Sequence, residues 1–161
     1  MRYSIIMTKQ IEIIGDKNAI PVLDHGFERL VDSMGSDADI VSAATLSSAP
    51  LVRGQWLRPG THVDLIGAFT PSMRESDDQC VAMADVYIDT REAMDEAGDL
   101  IQPIKAGTID ESHIKATLAD LCAGRATGRS SAEAITLFKA VGTALADLSA
   151  ATLAYESAGL A

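Results

Sequence analysis

Aromatic side chains make up only 4% of this 161-residue chain, with one Trp, three Tyr and three Phe. A core must therefore be assembled from Ile, Leu, Val, Ala and Met, and the 47% apolar content is enough to build one. Basic residues are also scarce: 13 Lys and Arg stand against 23 Asp and Glu, a formal net charge of −10. Such a chain repels phosphate backbones, and no basic stripe offsets the repulsion, which argues against a nucleic-acid partner. No apolar run approaches the roughly 18 residues of a membrane-spanning helix. The opening MRYSIIMTKQ lacks the continuous apolar stretch of a secretory leader. Cys80 and Cys122 have no metal-ligand spacing and read as buried thiols of a reducing, cytoplasmic protein. His25, His62 and His113 are equally scattered, so no metal site is expected. A last absence is the most informative. The chain contains no G-x-G-x-x-G, the turn that lets a backbone wrap a pyrophosphate.

What is present alternates. Short apolar runs at residues 11–14, 40–44, 62–66 and 85–89 are bounded by turn residues, as strands of a buried parallel sheet are. Helical spacing marks residues 24–34, and residues 76–84 and 90–97 read as short crossover helices. This alternation predicts an α/β fold: a partial Rossmann-like parallel sheet with flanking helices. Residues 110–123 predict another helix, with Gly124 past its end. Ser130 and Glu133 form a capping-box pattern ahead of an apolar stripe at Ile135, Phe138, Val141, Leu145 and Leu148. That stripe predicts one long C-terminal helix over residues 131–157. The whole chain is expected to be a single domain. Residues 1–36 form a divergent first segment, 37–109 the second half of a Rossmann-like domain, and 110–161 the C-terminal helices.

Four motifs follow in order: ATLSSAPLVRGQWLRPGTHVDLIGA, TPSMRESDD, EAGDLIQPI and ITLFKAVGTALADLSAA. Together they resemble the ornithine cyclodeaminase/mu-crystallin family over about residues 37–151. The resemblance implies a Rossmann domain that binds NAD or NADP. It also implies activities such as ornithine cyclodeamination, reduction of cyclic imines like pyrroline-2-carboxylate, or amino-acid dehydrogenation. GAFTPSMRESDD and VYIDTREA look more like the imine-reductase members. Against the family pattern, the substrate domain and the first strand with its glycine loop have no counterpart here. Where cyclodeaminases place an acid after the glycine turn, this chain has Phe69, which carries no proton to transfer. The resemblance thus implies a shortened family member, inactive as an isolated chain. Two alternatives remain: an NAD(P)-linked enzyme completed by a partner chain, or a non-catalytic small-molecule binding module.

Ligands of open parallel sheets bind beyond the carboxyl ends of the strands. Thr45 and Leu46 follow one predicted strand, and Ile66, Gly67 and Ala68 end the next. The resemblance puts cofactor contacts at the first place, and the glycine at the second permits the close backbone approach that a flat nicotinamide ring needs. A plain small-residue turn at 45–46, and a tight turn with positive φ at Gly67, are the competing readings. Lys139, placed with Gly142 on the long helix, would meet an anionic group or else form a surface or structural ion pair. Arg74, Glu75, Asp77 and Asp78 read as helix-start charges, and Glu92, Asp95, Glu96 and Asp99 as a solvated acidic face. A sheet lacking its first strand would leave an open edge at residues 40–44. Residues 11–14 adding themselves there, or association into a homo-oligomer, would cover it.

Overall fold

The computed structural model describes residues 11–14 and 38–159. The helix expected at 24–34 and His25 lie outside these. The fold is α/β and Rossmann-like, with six parallel strands among the described residues in the order β1-β2-β3-β6-β4-β5. The strands are β1 Ile11–Ile14, β2 Ile40–Ala43, β3 His62–Leu65, β4 Asp85–Ile88, β5 Ile114–Thr117 and β6 Thr136–Lys139. The helices are α1 Asp78–Met83, α2 Ala93–Glu96, α3 Gly98–Lys105, α4 Leu118–Cys122 and α5 Ala144–Ser157. A short 3-10 turn over Gly54–Trp56 lies between β2 and β3. β1 pairs with β2, Ile11 opposite Ile40 and Ile14 opposite Ala43, so the expected open edge is covered by the chain's own strand.

Register explains the core. Val41, Val63, Leu137 and Val86 lie side by side across β2, β3, β6 and β4, and all four are buried. The next row toward the carboxyl ends on that face is Ala43, Leu65, Lys139 and Ile88, again fully buried. Cys80 and Val81 of α1 and Leu100 of α3 join this face in one apolar cluster. The alternate rows run Ser42, Asp64, Phe138 and Tyr87, so the opposite face is more polar, with Ser42 donating to Asp64 at 3.0 Å.

Helix boundaries follow local chemistry. The Asp77 carboxylate caps α1 by accepting from the Cys80 amide at 2.8 Å, and the same oxygen accepts from the Gly54 amide at 2.9 Å. Thr117 and Asp120 form a reciprocal capping box at α4.

The last third departs from the sequence-based expectation. Residues 110–123 hold a 3-10 turn, β5 and α4 rather than one helix, though Gly124 does follow the helix end with φ 67°. Residues 131–157 are not one helix. Residues 136–139 form β6 between β3 and β4, and α5 starts only at Ala144. Ile135, Phe138 and Val141 therefore share no stripe with Leu145 and Leu148. Ser130 caps nothing; its hydroxyl donates to Asp85 at 2.9 Å. The physical reason is the four-residue run TLFK next to a glycine turn. Only a strand of that length fills the gap between two parallel neighbours.

Candidate functional site

The carboxyl ends of β2, β3, β4 and β6 open on one rim, where residues 44–47, 66–69, 89–90 and 140–143 emerge. The rim is held from beneath by buried charge. Glu75 is fully buried, and its carboxylate accepts from the amides of Thr45 at 2.5 Å, Gly67 at 3.0 Å and Ala68 at 3.3 Å. Asp99, also fully buried, accepts at one oxygen from the amides of Glu75 and Ser76 and from the Ser76 hydroxyl, at 2.8, 2.8 and 2.9 Å. Lys139 projects from β6 into the same space, with 0% of its surface exposed. Its Nζ lies 3.6 Å from Glu75 Oε2 and 3.3 Å from Asp99 Oδ2. Burial is the main force on Glu75 and raises its pKa; the Thr45 amide and Lys139 oppose that rise, while Asp99 adds to it.

These placements revise several expectations. Lys139 is neither helical nor on the surface: it belongs to the core face of a strand, paired with two carboxylates of its own chain. Glu75 is not a helix-start charge, because Asp77 occupies the cap and Glu75 points inward. Asp99 leaves the solvated acidic face, where Glu92, Asp95 and Glu96 remain exposed. Among the described residues no group of three or more His, Cys, Asp or Glu is arranged to hold a metal. Cys80 is buried, which pushes its thiol far up, but Cys122 is exposed rather than buried.

Gly67 is needed for a reason other than positive φ. Its backbone is not left-handed, but a Cβ there would lie 2.0 Å from both the nitrogen and the oxygen of Thr45. The two turns touch through their backbones, which brings the five residues 45, 46, 66, 67 and 68 into one patch. Within it Thr45 and Ala68 are buried, while Leu46 (55%) and Ile66 (49%) are exposed, as is neighbouring Phe69 (48%). The patch therefore offers an apolar surface whose amides at 45, 67 and 68 are already taken by Glu75. Lys139 lies under it and not on it.

A second carboxylate fixes the rim at β6. Asp89 Oδ2 accepts from the amides of Val141 at 2.9 Å and Gly142 at 2.8 Å, and Gly142 adopts φ 87°, which glycine tolerates best. Neither Glu75 nor Asp99 was singled out as interior from the sequence. The available signal was the position of Glu75 two residues before a capping Asp, which makes a second N-terminal acid redundant.

The sequence pattern of the ornithine cyclodeaminase/mu-crystallin family matches residues 30–160. A delta(1)-pyrroline-2-carboxylate reductase from Paracoccus denitrificans is 46% identical over 112 residues, 69% of this chain and 35% of that protein. Among solved structures, the Thermococcus litoralis delta(1)-pyrroline-2-carboxylate reductase in complex with NADH and L-proline superposes with TM-score 0.78. It is 36% identical, with 92% of this chain and 50% of that chain covered. An archaeal alanine dehydrogenase dimer with bound NAD gives TM-score 0.73 at 26% identity, covering 92% of this chain and 49% of that one. The chain spans about half the length of these solved structures and less of the Paracoccus protein.

Proposed function

The chain belongs to the ornithine cyclodeaminase/mu-crystallin family, and from that membership we propose that its rim forms the nicotinamide-facing half of an NAD or NADP site. The reaction class is reduction of a cyclic imino acid of the pyrroline carboxylate type. The observation that carries this reading is the patch of Leu46 and Ile66 over the buried turns at Thr45, Gly67 and Ala68. It lies at the carboxyl ends of adjacent parallel strands, where such sheets receive ligands. The donor set fits one face of a flat ring: apolar side chains outward, backbone amides satisfied inward, and no unpaired charge to desolvate.

When bound, the nicotinamide supplies or accepts hydride. Leu46 and Ile66 support its ring and exclude water from that side. Thr45, Gly67 and Ala68 shape the wall. Phe69 adds apolar surface and moves no proton, which disfavours cyclodeamination by an acid at that place. Lys139 acts from below by holding Glu75, without touching the cofactor.

These 161 residues have no G-x-G-x-x-G to hold a pyrophosphate, so on this reading they are inactive by themselves and need a glycine-loop domain to complete the site. A non-catalytic binding role is the second reading, favoured by the same absence. Fluorescence titration of the purified chain with NADH and NADPH decides whether the half-site works alone. Saturation at micromolar levels supports cofactor binding, and a screen of cyclic imino acids then distinguishes enzyme from binding module. A flat titration to millimolar levels, persisting when a family member's glycine-loop domain is added in trans, sinks the reading.

We also infer self-association through α5, which has no buried residue and apolar side chains on every side. A helix of that kind is ordinarily covered. A monodisperse monomer by light scattering at about 100 micromolar, a level at which even weak oligomers form, would contradict it.

A further inference from the structure

We propose that Glu75 is a positioning residue, whose one carboxylate sets both strand-end turns of the rim while Lys139 and Asp99 hold that carboxylate in place. The proposal deepens the cofactor-site reading and rests on it. Four stretches of chain distant in sequence converge at this point: the turn after β2 (Thr45), the turn after β3 (Gly67 and Ala68), the start of α3 (Asp99) and the end of β6 (Lys139). Burying three charged groups costs desolvation that an apolar set of equal volume would avoid, so stability alone does not account for them. An apolar set, however, cannot accept hydrogen bonds from three amides on two separate turns. The two carboxylates divide the work. Asp99 anchors the segment carrying Glu75 by accepting from the amides of Glu75 and Ser76. Glu75 then reaches across the strand ends, Oε1 to Thr45 and Oε2 to Gly67 and Ala68. Lys139 faces Glu75 on Oε2, the oxygen shared with Gly67 and Ala68, and Asp99 on its second oxygen, and so offsets part of their charge. Leu46 and Ile66 are the immediate neighbours of the pinned amides, so the direction of the apolar patch follows from where Glu75 places them.

The test is Glu75→Gln in the full chain. It keeps size and shape but turns one acceptor end into a donor that faces amide donors. Amide hydrogen exchange by NMR at Thr45, Gly67 and Ala68 should accelerate by about tenfold or more, the loss of a charge-assisted hydrogen bond. Exchange at Val63 and Leu137 in the sheet should be unchanged. Where the variant also binds NADH, its Kd should rise by about the same factor. A purely structural role predicts uniform acceleration across the sheet with no selective effect at the turns, and that result overturns the proposal. So does unchanged exchange at the three amides, or an unchanged NADH Kd in a variant whose turns are released. If Glu75→Gln does not fold, the unaltered chain decides. The amide proton shifts of Thr45, Gly67 and Ala68 should move with the Glu75 carboxyl carbon as pH is varied, and shifts that do not follow it overturn the proposal. A wild-type chain that binds no NADH removes the cofactor reading but leaves the exchange result to judge the positioning.

Discussion

Two parts of this molecule spend apolar residues in opposite ways. In the sheet, Val41, Val63, Leu65, Ile88 and Leu137 are all closed to solvent. In α5, Leu145, Leu148 and Leu153 are 73%, 63% and 65% exposed. The sheet is a finished interior. α5 is a largely apolar rod with a good start (the Thr143 hydroxyl accepts from the Ala146 amide at 3.1 Å) and no buried residue along its length. The contrast teaches that, among the described residues, capping and an alanine-rich composition support α5 more than tertiary contact does.

The sharpest way to break that contrast is at the one charged member of the sheet's buried rows. Lys139→Met should cost about 3–5 kcal/mol in urea unfolding, because it strands Glu75 and Asp99 without a counter-charge. A loss below 1 kcal/mol would mean that the cluster is hydrated and the interior is not closed there. Next comes a matched pair of truncations. Leu137→Ala should cost about 2–5 kcal/mol by cavity formation. Leu148→Ala, measured at a concentration where the chain is monomeric, should stay within about 0.5 kcal/mol of wild type. Equal losses at the two positions would show that α5 packs on its own sheet.

The smallest effect is the pH dependence at the opposite end of the sheet. His62 Nδ1 lies 2.8 Å from the Thr136 hydroxyl, which itself accepts from Arg129 at 3.1 Å. Burial, the dominant cause, lowers the His62 pKa below 6.5, with Arg129 adding to the lowering and Asp64 and Thr136 opposing it. The unfolded chain therefore takes up this proton at higher pH than the native chain does. The contribution is full above 6.5 and is lost as pH falls through the lowered native value. A His62→Asn variant should show a flatter stability profile between pH 7 and 5, whereas an identical slope would assign the pH dependence to other groups.

Much of the sheet was legible in the sequence because its strands are short apolar runs fenced by turn residues, and residues 40–43, 62–65 and 85–88 were found that way. β6 was hidden. Ile135, Phe138, Val141, Leu145 and Leu148 step by threes and fours, and that coincidence joins a strand, a turn and a helix into one false stripe. Gly142 was the discriminating residue: read as a helix interior it is a cost of about 1 kcal/mol, read as a turn it ends the strand. At the rim, the positions of Thr45, Leu46, Ile66, Gly67 and Ala68 at strand ends could be anticipated. That their amides are already taken by Glu75 could not, since a carboxylate 30 residues from Thr45 in sequence gives no periodic signal. Buried ions are specified by three-dimensional convergence, and local pattern carries little trace of it.

The Asp89 clamp has a mechanical consequence. It grips Val141 and Gly142, and two residues later α5 begins, 14 residues or about 21 Å of rigid rod. A rod hinged at one end magnifies angle into distance: a swing of 10° at Gly142 displaces the far tip by about 4 Å on that length. The carboxylate of Asp89 thus sets, from the rim of the sheet, the direction in which that arm points.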